Sequence, residues 1–290
     1  MFSKIPFRYF LFSFSVFFLA CSNTVSDPAD LEPFPSKGGN AGTSENDSSA
    51  SVTLDSIGMD WKHIPAGTLT RGSSEIQISE FYISRTEITQ KIYAAFQALP
   101  EQKVENDSLP VTNVSWFDAA LFCNALSKAY GLDTAYVYSE ISGTGTLEDL
   151  EFKDSVLAIR LPTEAEWERA YRAENYSAYY FDIDDVFSYA NFSSTGLKNV
   201  ASFLPNNFGL FDMAGNASEW VHDWYALYSE EKHQENPYGK TDGTFKVYRG
   251  GSFNSSTKEL SATERKYAKP SEKSADRGFR VVRFTGYKAD

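Results

Sequence analysis

The stretch Phe208–Tyr225, FGLFDMAGNASEWVHDWY, combines turn-forming residues, oxygen donors and large aromatic residues more densely than any other part of the chain. Its two glycines indicate a backbone that turns sharply. Asp212, Asn216 and Glu219 offer hard oxygen atoms, which are the ligands that Ca²⁺ prefers over zinc or copper. The stretch therefore predicts either an oxygen-lined metal loop or a structural turn, and composition alone favours the turn.

The second half of this stretch carries Trp220 and Trp224, which are four residues apart. On a helix, residues at this spacing share one face. One interpretation is an oxygen-lined loop between aromatic walls, with most of the domain folded around it. The other, which composition favours, is a turn followed by a buried aromatic helix.

Composition limits the classes of function that are open to the chain. The 290 residues carry a formal net charge of −12, which argues against a nucleic-acid partner because such proteins need a basic face. The two cysteines, Cys21 and Cys123, do not suggest a disulfide framework. His63, His222 and His233 are not spaced as metal-ligand pairs, so a histidine-based iron or zinc site is not expected.

The N-terminus is typical of an exported lipoprotein. Residues 1–20 have a basic start and a short apolar run, as in a signal peptide, and Leu19-Ala20-Cys21 resembles a bacterial lipobox. We expect lipidation at Cys21, a flexible tether over residues 21–50, and a membrane contact through the lipid. Ser22 after the cysteine favours the outer membrane. The alternative is an ordinary secretory signal or an anchor helix.

Residues 51–290 have a globular composition. Apolar spacing predicts helices over residues 86–98, 117–130 and 160–173, and β-branched and aromatic residues predict a strand over residues 77–84. Thr163 and Glu166 form a capping box at the start of the third helix.

Seven segments of this region, in order, resemble the formylglycine-generating enzyme (sulfatase-modifying factor) superfamily. The resemblance implies one α+β domain with a compact C-type-lectin-like fold, little regular secondary structure and long ordered loops. The segments are MDWKHIPAGTLTRGS, FYISRTEITQKIYAAF, LPVTNVSWFDAALFCNALS, RLPTEAEWERAYRA, NFGLFDMAGNASEWVHDW, YRGGSF and RGFRVVR.

The resemblance also implies metal sites. The family's calcium ligands correspond to the side chains of Asp212 and Glu219 and to the backbone carbonyls of Gly215 and Ala217. This favours one structural calcium ion and reverses the preference for a plain turn. A second family calcium site would begin at Asn191 and Phe192, but its other half has no clear counterpart here.

The family's catalytic residues are not carried over. The two cysteines that bind copper(I) correspond to Ser255 and Leu260, and neither side chain is a soft ligand. The HxxxHxE pattern of an iron-dependent branch is also absent. We therefore expect neither copper, nor iron, nor formylglycine generation.

We interpret the chain as a non-catalytic domain that binds or assembles a protein or glycan at the cell envelope. One alternative is an enzyme with other chemistry, for which Ser252 or Ser255 would be the polar actor; another is a calcium-dependent carbohydrate binder. The former substrate groove is expected to be lined by Trp220, Trp224, Ser252, Asn254, Ser255 and Arg265.

Overall fold

The fold is built on short strands joined by long ordered loops, in a computed structural model that describes residues 58–98 and 106–284. The strands are β1 (Trp61–Ile64), β2 (Gly67–Arg71), β3 (Ser74–Ile78), β4 (Phe81–Ser84), β5 (Tyr136–Val137), β6 (Glu151–Phe152), β7 (Ile159–Arg160), β8 (Ser218–Trp224), β9 (His233–Glu235), β10 (Lys246–Arg249), β11 (Lys266–Ala268), β12 (Arg277–Phe279) and β13 (Val282–Phe284). The α-helices are α1 (Gln90–Ala94), α2 (Trp116–Ala129), α3 (Glu164–Arg172) and α4 (Val186–Tyr189), with 3₁₀ turns at Ile183–Asp185 and Thr257–Leu260.

One sheet joins the two ends of the described chain. Its strand order is β1-β4-β13-β7, and β13 pairs antiparallel with both of its neighbours. The last strand of the described residues therefore lies inside the sheet and not at its edge. A three-stranded sheet (β2-β3-β9) and a two-stranded sheet (β5-β6) are also present.

The second four-stranded sheet has the order β11-β10-β8-β12 and contains the end of the Phe208–Tyr225 stretch. Trp220 pairs with Tyr248 on β10 and with Phe279 on β12. The helix expected after the turn is therefore wrong, because strands on both sides hold this segment extended. A strand also places alternate residues on one face, so Trp220 and Trp224 remain on the same side.

The two longer helices form where the sequence predicts them. Ser115 and Asp118 form a capping box at the start of α2, and Thr163 and Glu166 form the expected one at the start of α3. Helix α1 is much shorter than the predicted 86–98 helix. Its start is delayed because the backbone of Ile88 bonds to Phe279 and Val111, so the chain stays extended up to the cap at Thr89.

The core consists of two groups of buried apolar side chains. Trp167 lies in one group with the inner face of α3, and Trp116 and Trp220 lie in the other with α2. This mixture of strands and helices confirms the expected α+β class. Within residues 58–98 and 106–284, no helix has both the length and the apolar character that a membrane span requires. The predicted signal peptide, Cys21 and the tether lie outside the described residues.

Candidate functional site

The loop before β8 is a tight turn whose backbone needs residues that tolerate positive φ. Asp212, Gly215 and Asn216 have φ values of 56°, 79° and 59°. A Cβ atom on Gly215 would lie 2.3 Å from the carbonyl oxygen of Asn191, so only glycine fits this close approach. The loop is thereby fixed against the Asn191 segment, whose backbone carbonyl accepts the N–H of Asn216 at 2.8 Å next to the bridge between Asn191 and Gly215.

The carboxylate of Glu219 lies in the core and is bound on both oxygens. Arg280 donates one hydrogen bond to each oxygen at 2.7 Å, and Trp167 Nε1 donates another at 2.7 Å. All three side chains are fully buried. In this conformation Glu219 is the partner of an arginine. A calcium ion at this loop would share the carboxylate of Glu219 with Arg280, whose hydrogen bond is the one that Oε1 accepts.

Two further carboxyl groups lie close to this ion pair. Glu87 accepts the backbone N–H of Ala217 at 2.9 Å, and Asp212 accepts the backbone N–H of Ala201 at 2.7 Å. Burial, followed by the charge of Asp212, raises the pKa of Glu87 well above its usual value. Burial also raises the pKa of Asp212 to about 6. The three carboxyl groups of Glu87, Asp212 and Glu219 thus outnumber the single guanidinium of Arg280. Protons or a bound cation would neutralise the excess negative charge.

The described part of the chain contains no cluster of three or more His, Cys, Asp or Glu side chains arranged to hold a metal ion. The predicted set of Asp212, Gly215, Ala217 and Glu219 would rely on two backbone carbonyls and on a carboxylate that Arg280 also binds. Calcium binding at this loop stays a prediction.

Asn191 and Phe192, the start of the second predicted calcium site, serve the same loop. The amide of Asn191 donates to Gly196 and to Asn216, and its side-chain oxygen accepts from Ser194 at 2.7 Å. Phe192 is buried and packs beside Phe187. The oxygens of Asn191 are used within the protein, so this second site also stays a prediction.

The positions of the family's copper ligands are occupied and buried. Ser255 Oγ accepts the backbone N–H of Ser252 at 3.0 Å, and Leu260 is fully buried in the core. Cys123, the free cysteine of the described residues, is buried in α2 within the other core group. Burial raises the pKa of its thiol, which disfavours the reactive thiolate.

The predicted groove residues lie in three separate places. Ser252 Oγ donates to Asn254 and Asp276, each at 2.8 Å, in a hydrogen-bonded turn that also contains Ser255. Trp220 is fully buried, so it belongs to the core and not to a groove wall. Trp224 and Arg265 lie together elsewhere, in the lining of a cavity of about 650 Å³.

That cavity, here called the carboxylate cavity, has Glu164 and Asp223 at its base. Asp223 Oδ2 accepts the backbone N–H of Glu164 at 2.7 Å, at the start of α3. Burial and the charge of Glu164 raise the pKa of Asp223 to about 7. Burial would raise the pKa of Glu164 too, but Arg249 and Arg265 outweigh it and lower that pKa. Tyr228 lies between two guanidinium groups in the same cavity.

A second cavity of about 950 Å³, here called the aromatic cavity, lies beside it. Residues 235–240, here called the strap, line the aromatic cavity, and all of them except Asn236 also line the carboxylate cavity. Asn236 holds the strap to Ser79 through hydrogen bonds of 2.8 and 2.9 Å. The aromatic cavity is lined by rings and by polar side chains. These include Trp116, Tyr136, Glu151, Phe152, Asp154, His222, Trp224, Glu235, Asn236, Tyr238, Lys240 and Lys246.

Lys246 forms the base of the aromatic cavity. Its ammonium group donates to the carbonyl oxygen of His222 at 2.7 Å and lies 3.9 and 4.0 Å from the ring centroids of Trp116 and Trp224. Burial lowers the pKa of Lys246 to about 7, whereas the two indole faces favour its charged form. The ammonium group therefore makes its contacts inside the protein, with the His222 carbonyl and with the two tryptophans that form the wall.

His222 lies against this wall in its neutral form. Its ring centroid is 3.9 Å from that of Phe152, and burial lowers the pKa of its imidazole well below the usual value. The sequence analysis missed His222, Lys246 and the strap as site residues. The alternation in WVHDW, which places Trp220, His222 and Trp224 on one strand face, is the signal that could have indicated His222.

Comparisons with known proteins agree on the family. Residues 57–285 match the model of the sulfatase-modifying factor enzyme 1-like domain. The chain is 28% identical over 161 residues to the formylglycine-generating enzyme of Mus musculus, covering 50% of this chain and 35% of the mouse protein. It is 24% identical over 238 residues to the chaperone protein LppX of Paenibacillus barcinonensis, covering 72% and 81% of the two chains.

Partial matches also occur in larger proteins. Serine/threonine-protein kinase pkn1 of Chlamydia pneumoniae is 37% identical over 128 residues, which are 43% of this chain and 21% of the kinase. The chain thus matches only about a fifth of that kinase.

Solved structures extend the likeness to most of the described fold. Treponema denticola variable protein 1 superposes with a TM-score of 0.68 at 26% identity, covering 77% of this chain and 94% of that one. CarF superposes with a TM-score of 0.62 at 27% identity, covering 79% and 99%. The family model spans nearly the whole globular region, and therefore this chain belongs to the sulfatase-modifying factor enzyme 1-like domain family.

Proposed function

We propose that this protein is a non-catalytic binding or assembly domain, tethered to the cell envelope through a lipid on Cys21. The observation that carries the proposal is the occupation of the family's copper positions by Ser255 and Leu260, both buried within the protein. Copper(I) needs thiolate or similar soft ligands, which these side chains do not offer. The aromatic cavity, in contrast, has the concave form and mixed lining of a ligand site.

The likeness to the chaperone protein LppX, which extends over most of both chains, supports a role in binding or assembly. The lipobox-like Leu19-Ala20-Cys21 supports tethering, with the outer membrane as the proposed location. A tether of polar residues would let the domain reach a partner away from the membrane surface.

Two experiments test the proposal. The protein is expressed in a bacterial host that is fed a palmitate analogue, and label is expected on the wild type and absent from Cys21→Ala. In the second experiment the protein is cross-linked in its native envelope and recovered, and we expect a specific envelope protein or glycan with it. A wild type without label would refute tethering. Oxidation of a CxPxR peptide to formylglycine, seen by mass spectrometry, would refute the non-catalytic role.

A second candidate is an enzyme with acid–base chemistry in the carboxylate cavity. The observation that favours it is the opposite displacement of two carboxyl pKa values, raised to about 7 for Asp223 and lowered for Glu164. Such splitting is a feature of acid–base pairs in active sites. However, Arg265 binds both oxygens of Glu164, at 2.6 and 2.7 Å, so the ionised partner is held in an ion pair. We therefore rank the binding role first.

A further inference from the structure

We propose that the aromatic cavity binds a neutral pyranose saccharide without the help of calcium. This inference rests on the proposed binding function and names the ligand class for it. It places the sugar on Phe152, Trp224 and Tyr238, away from the Asp212–Glu219 loop, where calcium is predicted.

The aromatic walls of the cavity match the apolar face of a pyranose ring. Phe152 and Tyr238 lie with ring centroids 5.1 Å apart, and both line the cavity together with Trp224. The C–H face of a sugar ring is apolar and packs on aromatic rings of this kind, as other apolar surfaces do. The volume of about 950 Å³ is large enough for a short oligosaccharide.

The polar part of the lining matches the hydroxyl groups of a sugar. Glu151, Asp154 and Glu235 are exposed residues of the cavity lining. Carboxylate oxygens accept hydrogen bonds from hydroxyl donors. The lining thus offers acceptors around an aromatic wall, an arrangement suited to a ligand that is rich in O–H groups and uncharged.

Charge argues against an anionic ligand. Three carboxylates outnumber the two lysines of the lining, Lys240 and Lys246, and the overall net charge is −12. Lys246, at the base, already donates to a backbone carbonyl and faces two indole rings. Its charge is therefore used within the wall and is poorly placed to attract a phosphate or a carboxylate.

Strand pairing argues against an extended peptide at the base of the cavity. A peptide that adds a strand to a sheet needs a free strand edge. The strands β8 and β10, which carry His222, Trp224 and Lys246, each have a neighbour on both sides in the order β11-β10-β8-β12. The strands β6 and β9, at the sides of the cavity, each have one neighbour in the described sheets, so the test includes a peptide probe.

The test uses the full-length protein in a zwitterionic detergent that contains no sugar. Maltotriose, cellotriose, mannotriose and chitotriose are titrated separately, and binding is followed by tryptophan fluorescence and by saturation-transfer NMR, with and without EDTA. At least one trisaccharide is expected to bind at millimolar or lower concentration, with an affinity unchanged by EDTA.

Variants locate the binding. Tyr238→Ala is expected to weaken binding about tenfold or more through loss of a stacking wall. Asp154→Asn, at an exposed position, is expected to weaken it several-fold with an unchanged melting temperature. The matched control is Tyr267→Ala, because Tyr267 is an aromatic residue, 48% exposed, that does not line the cavity. This control should bind like the wild type.

Several outcomes would overturn the inference. The first is that none of the four trisaccharides binds up to about 10 mM, where even a weak site would be detected. The second is that EDTA abolishes binding. The third is that both Tyr238→Ala and Asp154→Asn bind as tightly as the wild type. Binding of a capped alanine–tyrosine peptide in place of the sugars would overturn it too. A specific envelope partner recovered by cross-linking despite a failed sugar titration would leave the proposed function standing and remove only the ligand class.

Discussion

Replacing Arg280 by methionine should destabilise the domain strongly. The guanidinium donates two hydrogen bonds of 2.7 Å to Glu219, and others to the carbonyls of Ser84 and Phe211 at 3.2 and 3.0 Å. Arg280 and Glu219 are 0% and 1% exposed. Methionine fills a similar volume but leaves the carboxylate of Glu219 without its counter-ion. Removing one partner of such a buried pair costs about 3–5 kcal/mol of unfolding free energy.

The measurement is urea unfolding followed by tryptophan fluorescence, together with a thermal melt. For a domain of this size, the predicted loss corresponds to a fall in melting temperature on the order of 10 °C. The matched control is Lys273→Met, since Lys273 pairs with Asp118 at 2.8 Å but is 46% exposed in its side chain. A solvent-exposed pair contributes about 0–1 kcal/mol, so this variant should unfold almost like the wild type.

A double variant tests whether the unpaired charge of Glu219 causes the loss of stability. Adding Glu219→Gln to Arg280→Met removes the unpaired charge, so part of the lost stability should return, as expected for residues in direct contact. Two results would show that the ion pair does not stabilise the core in this way. One is that Arg280→Met lowers the free energy of unfolding by less than about 1 kcal/mol. The other is that the loss in the double variant equals the sum of the losses in the two single variants.

Three further predictions concern metal, pH and chemistry. If Asp212 and Glu219 bind calcium, EDTA should lower the melting temperature, because free calcium at one hundred times its Kd adds about 2.7 kcal/mol to the free energy of unfolding. A melting temperature that EDTA does not change would contradict the calcium site. The pKa of Asp223 is raised from 3.8 to about 7, so the free energy of unfolding should fall as the pH rises between these values. Asp223→Asn should make this fall smaller, and in urea unfolding at pH 8 it should be more stable than the wild type. With Ser255 and Leu260 at the copper positions, titration with copper(I) should show no stoichiometric tight binding, and a bound equivalent would contradict this expectation.

The local signals in the sequence predicted the elements that are stabilised locally. The capping box of Thr163 and Glu166 starts α3 in the structure as the sequence indicates, since both of its hydrogen bonds are made within one turn. Ser115 caps α2 for the same reason. Elements that depend on distant partners were predicted less well. The segment Ser218–Trp224 is a strand because β10 and β12 flank it, and neither neighbour can be recognised from the segment itself.

In the candidate site, too, local features could be predicted from the sequence and contacts between distant segments could not. The oxygen-rich loop was recognisable because Asp212 and Glu219 lie close together in the sequence. The partner of Glu219 is Arg280, 61 residues away, and no local pattern links the two. The aromatic cavity likewise combines Phe152, His222 and Tyr238 from separate segments, so its existence depends on tertiary packing that composition does not reveal.

The position of β13 has a consequence for how the chain folds. This strand, Val282–Phe284, lies between β4 and β7, whose residues precede it in the chain by roughly 120 to 200 positions. Until it is present, β4 and β7 lack the partner that joins them and have exposed strand edges that can pair with other chains. A growing or truncated chain that ends before β13 should therefore be prone to aggregation, and folding should be slow and complete only when the C-terminal residues arrive.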